Sequence, residues 1–126
     1  MTAHSFVLAA AIRSKRGQTL LRDLLAALDA MPDKKLIAGD FVRPNGSCCA
    51  LGVLGLARGI DPEYLAALGD DYDRASKSFG ASISLIRHIQ DENDHRLKNA
   101  TQDQRWAHVR GWAASKIDNL IEGSTP

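Results

Sequence analysis

Two adjacent cysteines, Cys48 and Cys49, are the residues whose type and position most directly suggest chemistry. They follow the turn-forming sequence Asn45–Ser47 and open an apolar run with helical character. A cysteine at the amino terminus of a helix can have its thiolate stabilised by the helix dipole and by free amides, which prepares a nucleophile. Cysteine is also a small apolar residue that is usually buried, and here the run continues into a predicted core helix. We therefore favour a core role for this pair and keep a cysteine-dependent enzyme as the third hypothesis.

Histidines supply the possible bases and metal ligands. They occur at positions 4, 88, 95 and 108, and Asn93 or Asp94 is available to orient one of them. Zinc sites usually present spaced pairs of ligands, whereas adjacent cysteines cannot present both thiolates as a Cys-x-x-Cys turn does. We expect no metal and no cofactor. Adjacent cysteines also rarely close a disulfide with each other, so we expect a reducing cytoplasm rather than an oxidising compartment.

A second pattern resembles the centre of a helix-turn-helix. Its small residue, glycine, serine cap and β-branched residue fall on Ser76, Gly80, Ser82 and Ile86. If that pattern enters a DNA major groove, the side chains available to base edges or phosphates are those of Ser82, Ser84, Arg87, His88 and Gln90. The acidic residues at positions 91, 92 and 94 would repel phosphate. A small DNA-binding regulator is therefore the alternative to our leading interpretation, and a plain helical corner is the simpler one.

The composition limits the choice of function. With 126 residues the chain has the length of one domain, and its 44% apolar content is typical of a globular protein. The formal charge of +1 shows neither the basic excess of a dedicated nucleic-acid binder nor the acidic excess of a DNA mimic. No apolar stretch approaches the roughly 20 residues that cross a bilayer, so we expect no membrane partner. The run Phe6–Ile12 has no basic residue before it and Arg13 directly after it, so we interpret it as a helix rather than an export signal.

Hydrophobic periodicity predicts mostly helices. We expect an all-α fold, or an α-dominated α+β fold with one short hairpin or extended loop near residues 36–47, in a single compact domain spanning 1–126. The prediction has five to six helices, with residues 1–16 as a peripheral N-terminal helix and residues 123–126 as a frayed tail. Within it, a helix from Thr19 to Met31 carries a leucine stripe, and the helix after Gly80 turns Ile83, Leu85, Ile86 and Ile89 inward.

Two further helices have more specific signals. The run Cys49–Arg58 is apolar on nearly all sides, which predicts burial at the centre of the domain. Gly52 and Gly55 lower its helix propensity, so we expect a neighbouring helix or loop to approach closely there. The last helix is predicted to begin at Thr101 with a capping box and to run through Ile121. Its inward stripe comprises Trp106, Val109, Trp112 or Ala113, Ile117 and Leu120.

The order of these motifs resembles small phage and prophage proteins that have no assigned activity. The likeness rests on Cys49-Ala-Leu-Gly52, on Asn93-Asp94 and on the Thr101-x-x-x-Arg-Trp106 pattern, and it spans about residues 20–121. The resemblance implies an accessory protein that acts by protein–protein contact with a host or phage protein in the bacterial cytoplasm. Inhibition of a host defence such as CRISPR is one such role. A homodimer is compatible with it, and an enzyme is not favoured.

Overall fold

The computed structural model of the chain describes residues 3–94 and 99–118. Within these residues the chain forms seven α-helices and no β-strand, which confirms the all-α class. In chain order they are α1 (Ala3–Arg13), α2 (Lys15–Asp29), α3 (Ala50–Ala57), α4 (Pro62–Leu68), α5 (Tyr72–Phe79), α6 (Ile83–Asp94) and α7 (Gln102–Ser115). The count is slightly above the predicted five to six because short helices form separately on both sides of Gly69 and Gly80. None of these helices is long and apolar enough to cross a bilayer.

The core lies between α2, α3, α6 and α7. α2 packs against α3 and α7, and α6 packs against α1, α3, α5 and α7. Fully buried side chains come from the leucine stripe of α2 and from the inward faces of α3 and α6: Leu20, Leu21, Leu24, Leu28, Leu51, Leu54, Leu85, Ile86 and Ile89. Every residue of α3 from Ala50 to Gly55 is buried, which confirms the predicted central helix.

The glycines of α3 lie where other parts of the chain come close. A Cβ atom at Gly52 would lie 1.8 Å from the carbonyl oxygen of Phe41. At Gly55 it would lie 2.7 Å from the side chain of Leu65 on α4. The expected compensation for two helix-weakening residues is therefore present, through a loop at the first and a helix at the second.

α1 and α2 meet at Ser14, which ends one helix and caps the next. Its hydroxyl accepts a hydrogen bond from the backbone N–H of Gly17 at 2.9 Å. Buried Gln18 then ties the junction to the end of α7, because its Nε2 donates to the carbonyl oxygens of Ile12 and Lys116. α2 thus begins before the predicted Thr19, and the N-terminal helix is joined to the domain through its last turn.

The segment between α2 and α3 is an extended loop rather than a hairpin. Its only bridge in the described part of the chain is an isolated antiparallel pair, Val42 and Cys48. The turn predicted around Asn45 is present, since the backbone N–H of Arg43 donates to the Ser47 carbonyl oxygen at 2.9 Å. The loop is therefore held by contacts other than a sheet. α6 contributes the side chains of Asn93 and Asp94, and α7 contributes the Gln102 carbonyl oxygen, which accepts from the Leu36 N–H at 3.0 Å.

Two predictions about the helices, one on α6 and one on α7, need correction. Ile83 is 37% exposed, so its inward assignment was wrong: it begins α6 at the corner, beyond the packed part of the helix. On α7, Val109, Ala113 and Ile117 are buried as expected, with Trp106 and Trp112 partly buried against the core. α7 ends at Ser115, with Lys116 as its C-cap, so the predicted run of this helix through Ile121 was wrong. Leu120, Ile121 and the tail 123–126 lie outside the described residues.

Candidate functional site

The two cysteines lie at the start of α3, as a helix-activated thiol requires, but both are buried. Cys49 is the residue preceding the helix, is 0% exposed, and makes no capping bond through its side chain. Its Sγ lies 3.6 Å from the Oε1 atom of Gln90. Cys48 is 7% exposed, and its Sγ lies 3.3 Å from the carbonyl oxygen of Gly46. Both thiols are free.

The electrostatics at this position oppose a reactive thiolate. Burial raises the pKa of Cys49 from the ordinary 9.0 to about 12, and the nearby backbone amides of Gly52 and Leu51 lower it too little to offset that desolvation. Burial also raises the pKa of Cys48. Catalytic cysteines have a lowered thiol pKa and a route to solvent. The geometry gives no support to the cysteine-dependent enzyme.

Asn93 is the centre of a buried polar network at the end of α6. Its side chain is 0% exposed and joins three parts of the chain. Its Oδ1 accepts a hydrogen bond from the backbone N–H of Ala50 at the start of α3, at 3.0 Å. Its Nδ2 donates to the carbonyl oxygen of Ile37 in the loop, at 2.9 Å. One amide thus satisfies a helix-start donor and a loop acceptor that would otherwise be buried without partners.

Three neighbours extend this network. Asp94 accepts hydrogen bonds from the backbone N–H of Gly39 at 3.0 Å and from the Nε2 of Gln90 at 3.1 Å. Arg105, on α7 and only 7% exposed, donates to the carbonyl oxygen of Asn93. We call Gln90, Asn93, Asp94 and Arg105 the brace. The brace fixes the loop and the start of α3 against α6 and α7.

The brace explains the motifs that carry the phage-protein resemblance. Cys49-Ala50, Asn93-Asp94 and Arg105-Trp106 are far apart in sequence and meet at or beside the brace. Trp106 continues the connection, since its Nε1 donates to the carbonyl oxygen of Leu28 at the end of α2, at 3.1 Å. These residues position one another through their hydrogen bonds.

The corner between α5 and α6 has the backbone shape of the predicted turn. Gly80 adopts the left-handed conformation (φ 66°, ψ 36°), and its N–H donates to the Ser76 carbonyl oxygen at 2.9 Å. The hydroxyl of Ser82 accepts from the backbone N–H of Leu85 at 3.2 Å, so it caps α6. A tight glycine corner with a serine cap is therefore present, as either a helix-turn-helix or a plain corner requires.

The side chains proposed to contact DNA differ in their exposure. Gln90 is 4% exposed and belongs to the brace. His88 lies with its ring centroid 5.3 Å from that of Trp112, and Arg87, although exposed, lies over the ring of Tyr72 at 5.2 Å. Ser82 caps the helix and Ser84 is partly buried. A recognition helix must expose one long face. Four helices, α1, α3, α5 and α7, pack against α6, and they leave Ile83 and Arg87 exposed and Ser84 and His88 partly buried along its outer side.

A second polar cluster joins α6 to α7. The buried carboxylate of Glu92 lies 3.1 Å from the Nε2 of His88 through its Oε2 atom, and 2.9 Å from the Nε2 of His108 through its Oε1 atom. Each carboxylate oxygen of Glu92 therefore faces a different imidazole ring. The cluster connects α6 to α7 and contains two of the histidines considered as possible bases, of which His88 is also a proposed DNA contact.

The outer face of α1 differs from the cysteine pair, the brace, the corner and the Glu92 cluster, because it is apolar and exposed. Phe6 is 64% exposed and Val7 is 55% exposed, and Ala10, one turn later, is also exposed. Residues three and four apart lie on the same side of a helix, so these three form one apolar surface, which we call the ridge. Arg13 and Lys15 follow directly and are exposed. The ridge is thus apolar and borders basic residues.

The sequence predicted this helix but not its exposed face. A helix that is apolar on nearly all sides usually has every face buried, as α3 does, yet α1 packs only one side against α2 and α6. The sequence feature that could have indicated an exposed face is the basic run that begins at Arg13, directly after this helix. Comparison of the chain with protein-family models, curated proteins and solved structures finds no match. Its interpretation therefore rests on exposure, contacts and charge.

Proposed function

We propose that this chain is a phage-type accessory protein that acts by binding another protein, of the host or the phage, in the bacterial cytoplasm. It covers a surface of its partner rather than transforming a substrate. In its most specific form, the proposal is that it inhibits a host defence system such as CRISPR.

The observation that carries the proposal is the ridge. Single exposed apolar residues are ordinary, but an aromatic and a β-branched side chain, both more than half exposed and adjacent on one helix, form a local apolar surface. Aromatic side chains are enriched among the residues that dominate binding at protein interfaces. Phe6 is therefore the residue with the largest expected contribution to partner binding.

The other candidate sites support this choice by their geometry. Both thiols are buried and carry raised pKa values, which disfavours a nucleophile. Gln90, one of the proposed DNA contacts, is held in the brace. A protein that works by covering a surface needs neither a reactive group nor a recognition helix.

A capture experiment with matched variants tests the binding function. The tagged chain, the double variant Phe6→Glu with Val7→Glu, and a control variant Ile83→Glu are each incubated with host lysate with and without nuclease. We expect a stoichiometric protein that survives nuclease, is retained by Ile83→Glu and is lost from the ridge variant. The captured protein is then purified and its Kd is measured directly with all three chains.

Other outcomes of the capture experiment contradict the proposal. Capture that the ridge variant retains would show that the ridge is not the binding surface. Recovery of nucleic acid, with protein partners lost on nuclease treatment, would favour the helix-turn-helix regulator. Arg87→Ala would then weaken DNA binding, and that binding would fall steeply with salt.

The anti-defence role has its own test. The chain is expressed in a host whose CRISPR system targets an infecting phage, and plaques are counted with and without expression. An inhibitor restores plating by several orders of magnitude, and the ridge variant, expressed at the same level, does not. Unchanged plating across the defence systems tested, together with ridge-dependent capture, would keep the binding function and remove the anti-defence role.

A further inference from the structure

A second apolar surface lies between the turn at residues 43–46, the end of α3 and the start of α4. It is an open groove of about 540 Å³, whose apolar lining consists of Val42, Pro44, Leu56, Pro62 and Ala66. We call this surface the groove. Leu56 is 37% exposed there, although α3 is buried from Ala50 to Gly55. The last turn of the central helix therefore presents its apolar side chain outward.

The size of the groove suits the ridge. A cavity of about 150 Å³ holds a benzene-sized ring, so the groove has room for the ring of Phe6 and the side chain of Val7. Because the groove is open along one side, a helix can approach it without rearrangement of α3 or α4. The fit is between one aromatic anchor and one apolar depression, which is the common arrangement at the centre of an interface.

The charges beside the two surfaces have opposite signs. Residues 13–22, next to the ridge, contain four basic side chains and no acidic one. Residues 58–74, which form the α4 side of the groove and the segment after it, contain five acidic side chains and two basic ones. The two basic side chains are paired, Arg58 with Asp23 and Arg74 with Asp71. Arg43 also lines the groove, but Asp40 lies 2.9 Å from it and offsets its charge. With a net charge of only +1, the chain is polarised between these two stretches.

We infer that the ridge of one copy docks in the groove of a second copy of this chain. The groove is apolar, and acidic residues lie beside it. A matching helix has an apolar face with basic residues beside it, and α1 has both features. The contact joins two different surfaces of the chain. A twofold axis makes the contact twice and closes an isologous dimer, whereas other rotations give a heterologous ring or an open filament.

The inference goes beyond the proposed function and has a consequence for it. Because both use the ridge, a partner protein has to compete with the second copy, and self-association covers the ridge until a partner is present. That consequence rests on the proposed function. The self-association itself is measured on the purified chain alone, so its failure is distinct from a failure of partner capture.

The test is the oligomeric state of the purified full chain and its variants, measured by sedimentation and light scattering over a wide concentration range. We expect reversible association. Phe6→Glu, which changes the ridge, and Leu56→Glu, which changes the groove, should each raise the dissociation constant by roughly tenfold or more. Ala66→Glu is a second groove variant at an exposed helical position, and Ile83→Glu is the control that leaves association unchanged.

Mixing the two variants gives the sharpest result. A Leu56→Glu copy keeps its ridge and a Phe6→Glu copy keeps its groove, so an equimolar mixture retains one intact contact and should associate more tightly than either variant alone. Association weakened by Phe6→Glu but by neither groove variant would indicate ridge-to-ridge pairing and overturn the inference. A monomer at every concentration would overturn it as well.

Salt dependence tests the role of charge. Raising the salt concentration from about 0.05 M to about 0.5 M should weaken self-association several-fold, because exposed charges are screened over a shorter distance. The double variant Arg13→Glu with Lys15→Glu should weaken it further, whereas Lys35→Glu with Lys77→Glu, which changes net charge equally elsewhere, should not. Association independent of salt and of both double variants would overturn the choice of a second copy as occupant.

Discussion

The brace and the ridge use their residues in opposite ways. In the brace, each polar side chain is committed to named partners within the chain: Asn93 to the start of α3 and the loop, and Arg105 to the end of α6. In the ridge, Phe6 and Val7 keep more than half of their surface exposed. The first region determines how the loop and three helices, α3, α6 and α7, fit together, and the second is available to another molecule.

This difference shows that the residues with distinctive spacing in the sequence are not the ones that we propose to be functional. Asn93-Asp94 and Arg105-Trp106, two of the motifs singled out in the sequence, occur in and beside the brace, where a buried polar group without a partner would cost about 1–3 kcal/mol. The ridge has no polar pattern, because a docking surface needs shape and apolar area more than fixed hydrogen bonds. A motif in this chain therefore indicates a structural constraint, and the surface that we propose to be functional has none.

The largest effect is expected where the loop beside the brace meets α3. Gly52→Ala places a Cβ atom 1.8 Å from the Phe41 carbonyl oxygen, which belongs to the backbone and cannot turn aside. We expect a loss of about 4 kcal/mol or more in the free energy of unfolding, measured by urea titration, or failure to fold.

The matched control is the same substitution in α7. Nothing lies within 4 Å of a Cβ built at Gly111, and glycine weakens a helix interior relative to alanine. Gly111→Ala should therefore stabilise the chain by about 1 kcal/mol. Equal effects at the two positions would show that close packing at Gly52 does not hold the loop.

The second prediction removes the centre of the brace. Asn93→Ala leaves the Ala50 N–H and the Ile37 carbonyl oxygen without their partner, and both are buried. We expect a loss of about 3 kcal/mol in the free energy of unfolding. Asn45→Ala, which removes an exposed turn contact to Ser47, should cost less than about 1 kcal/mol. A similar loss in both variants would contradict the special role assigned to the brace.

The sequence predicted much of the fold because its local signals agree with the structure. The capping box at Thr101 and the glycine corner at Gly80 each satisfy backbone groups within a few residues. The leucine stripe of α2 and the apolar run of α3 likewise determine which faces are buried. These elements follow from short-range chemistry and from periodicity.

The brace and the exposure of α1 did not follow from such signals. The partners of Asn93 are 43 and 56 residues away, and no local pattern pairs an asparagine with two distant backbone groups. Ile83 and Phe6 are apolar residues at helical spacing, but only the packing of whole helices determines that they remain exposed. The sequence therefore predicted helices better than it predicted which surface of the domain is left uncovered.

The third prediction concerns the thiol beside the brace at high pH. Cys49 keeps its proton in the folded chain up to a pKa of about 12, whereas the unfolded thiol releases it above about 9.0. The folded state then binds more protons, so stability is complete below pH 9 and falls as pH rises toward 12. The expected loss is about 1 kcal/mol at pH 10, measured by urea titration across this range.

The control for that prediction is Cys49→Ala. The variant lacks the titrating group, so its stability should fall less steeply above pH 9 than that of the parent chain, while other alkaline titrations affect both equally. Parallel curves would show that the thiol is solvated in the folded chain, and would restore the possibility of an accessible nucleophile at this position.

The smallest effect on the free energy of unfolding is expected at the ridge, and this variant contrasts most clearly with the variants of the brace. Phe6 is 64% exposed, so Phe6→Glu removes little buried area and should change the free energy of unfolding by less than about 0.5 kcal/mol, measured by urea titration at low protein concentration. The same variant is expected to abolish ridge-dependent capture. A loss of binding without a loss of stability would assign Phe6 to recognition, as Asn93 is assigned to folding. A destabilisation of 2 kcal/mol or more would instead show that α1 needs this ring for its own packing, and the ridge would then belong to the core.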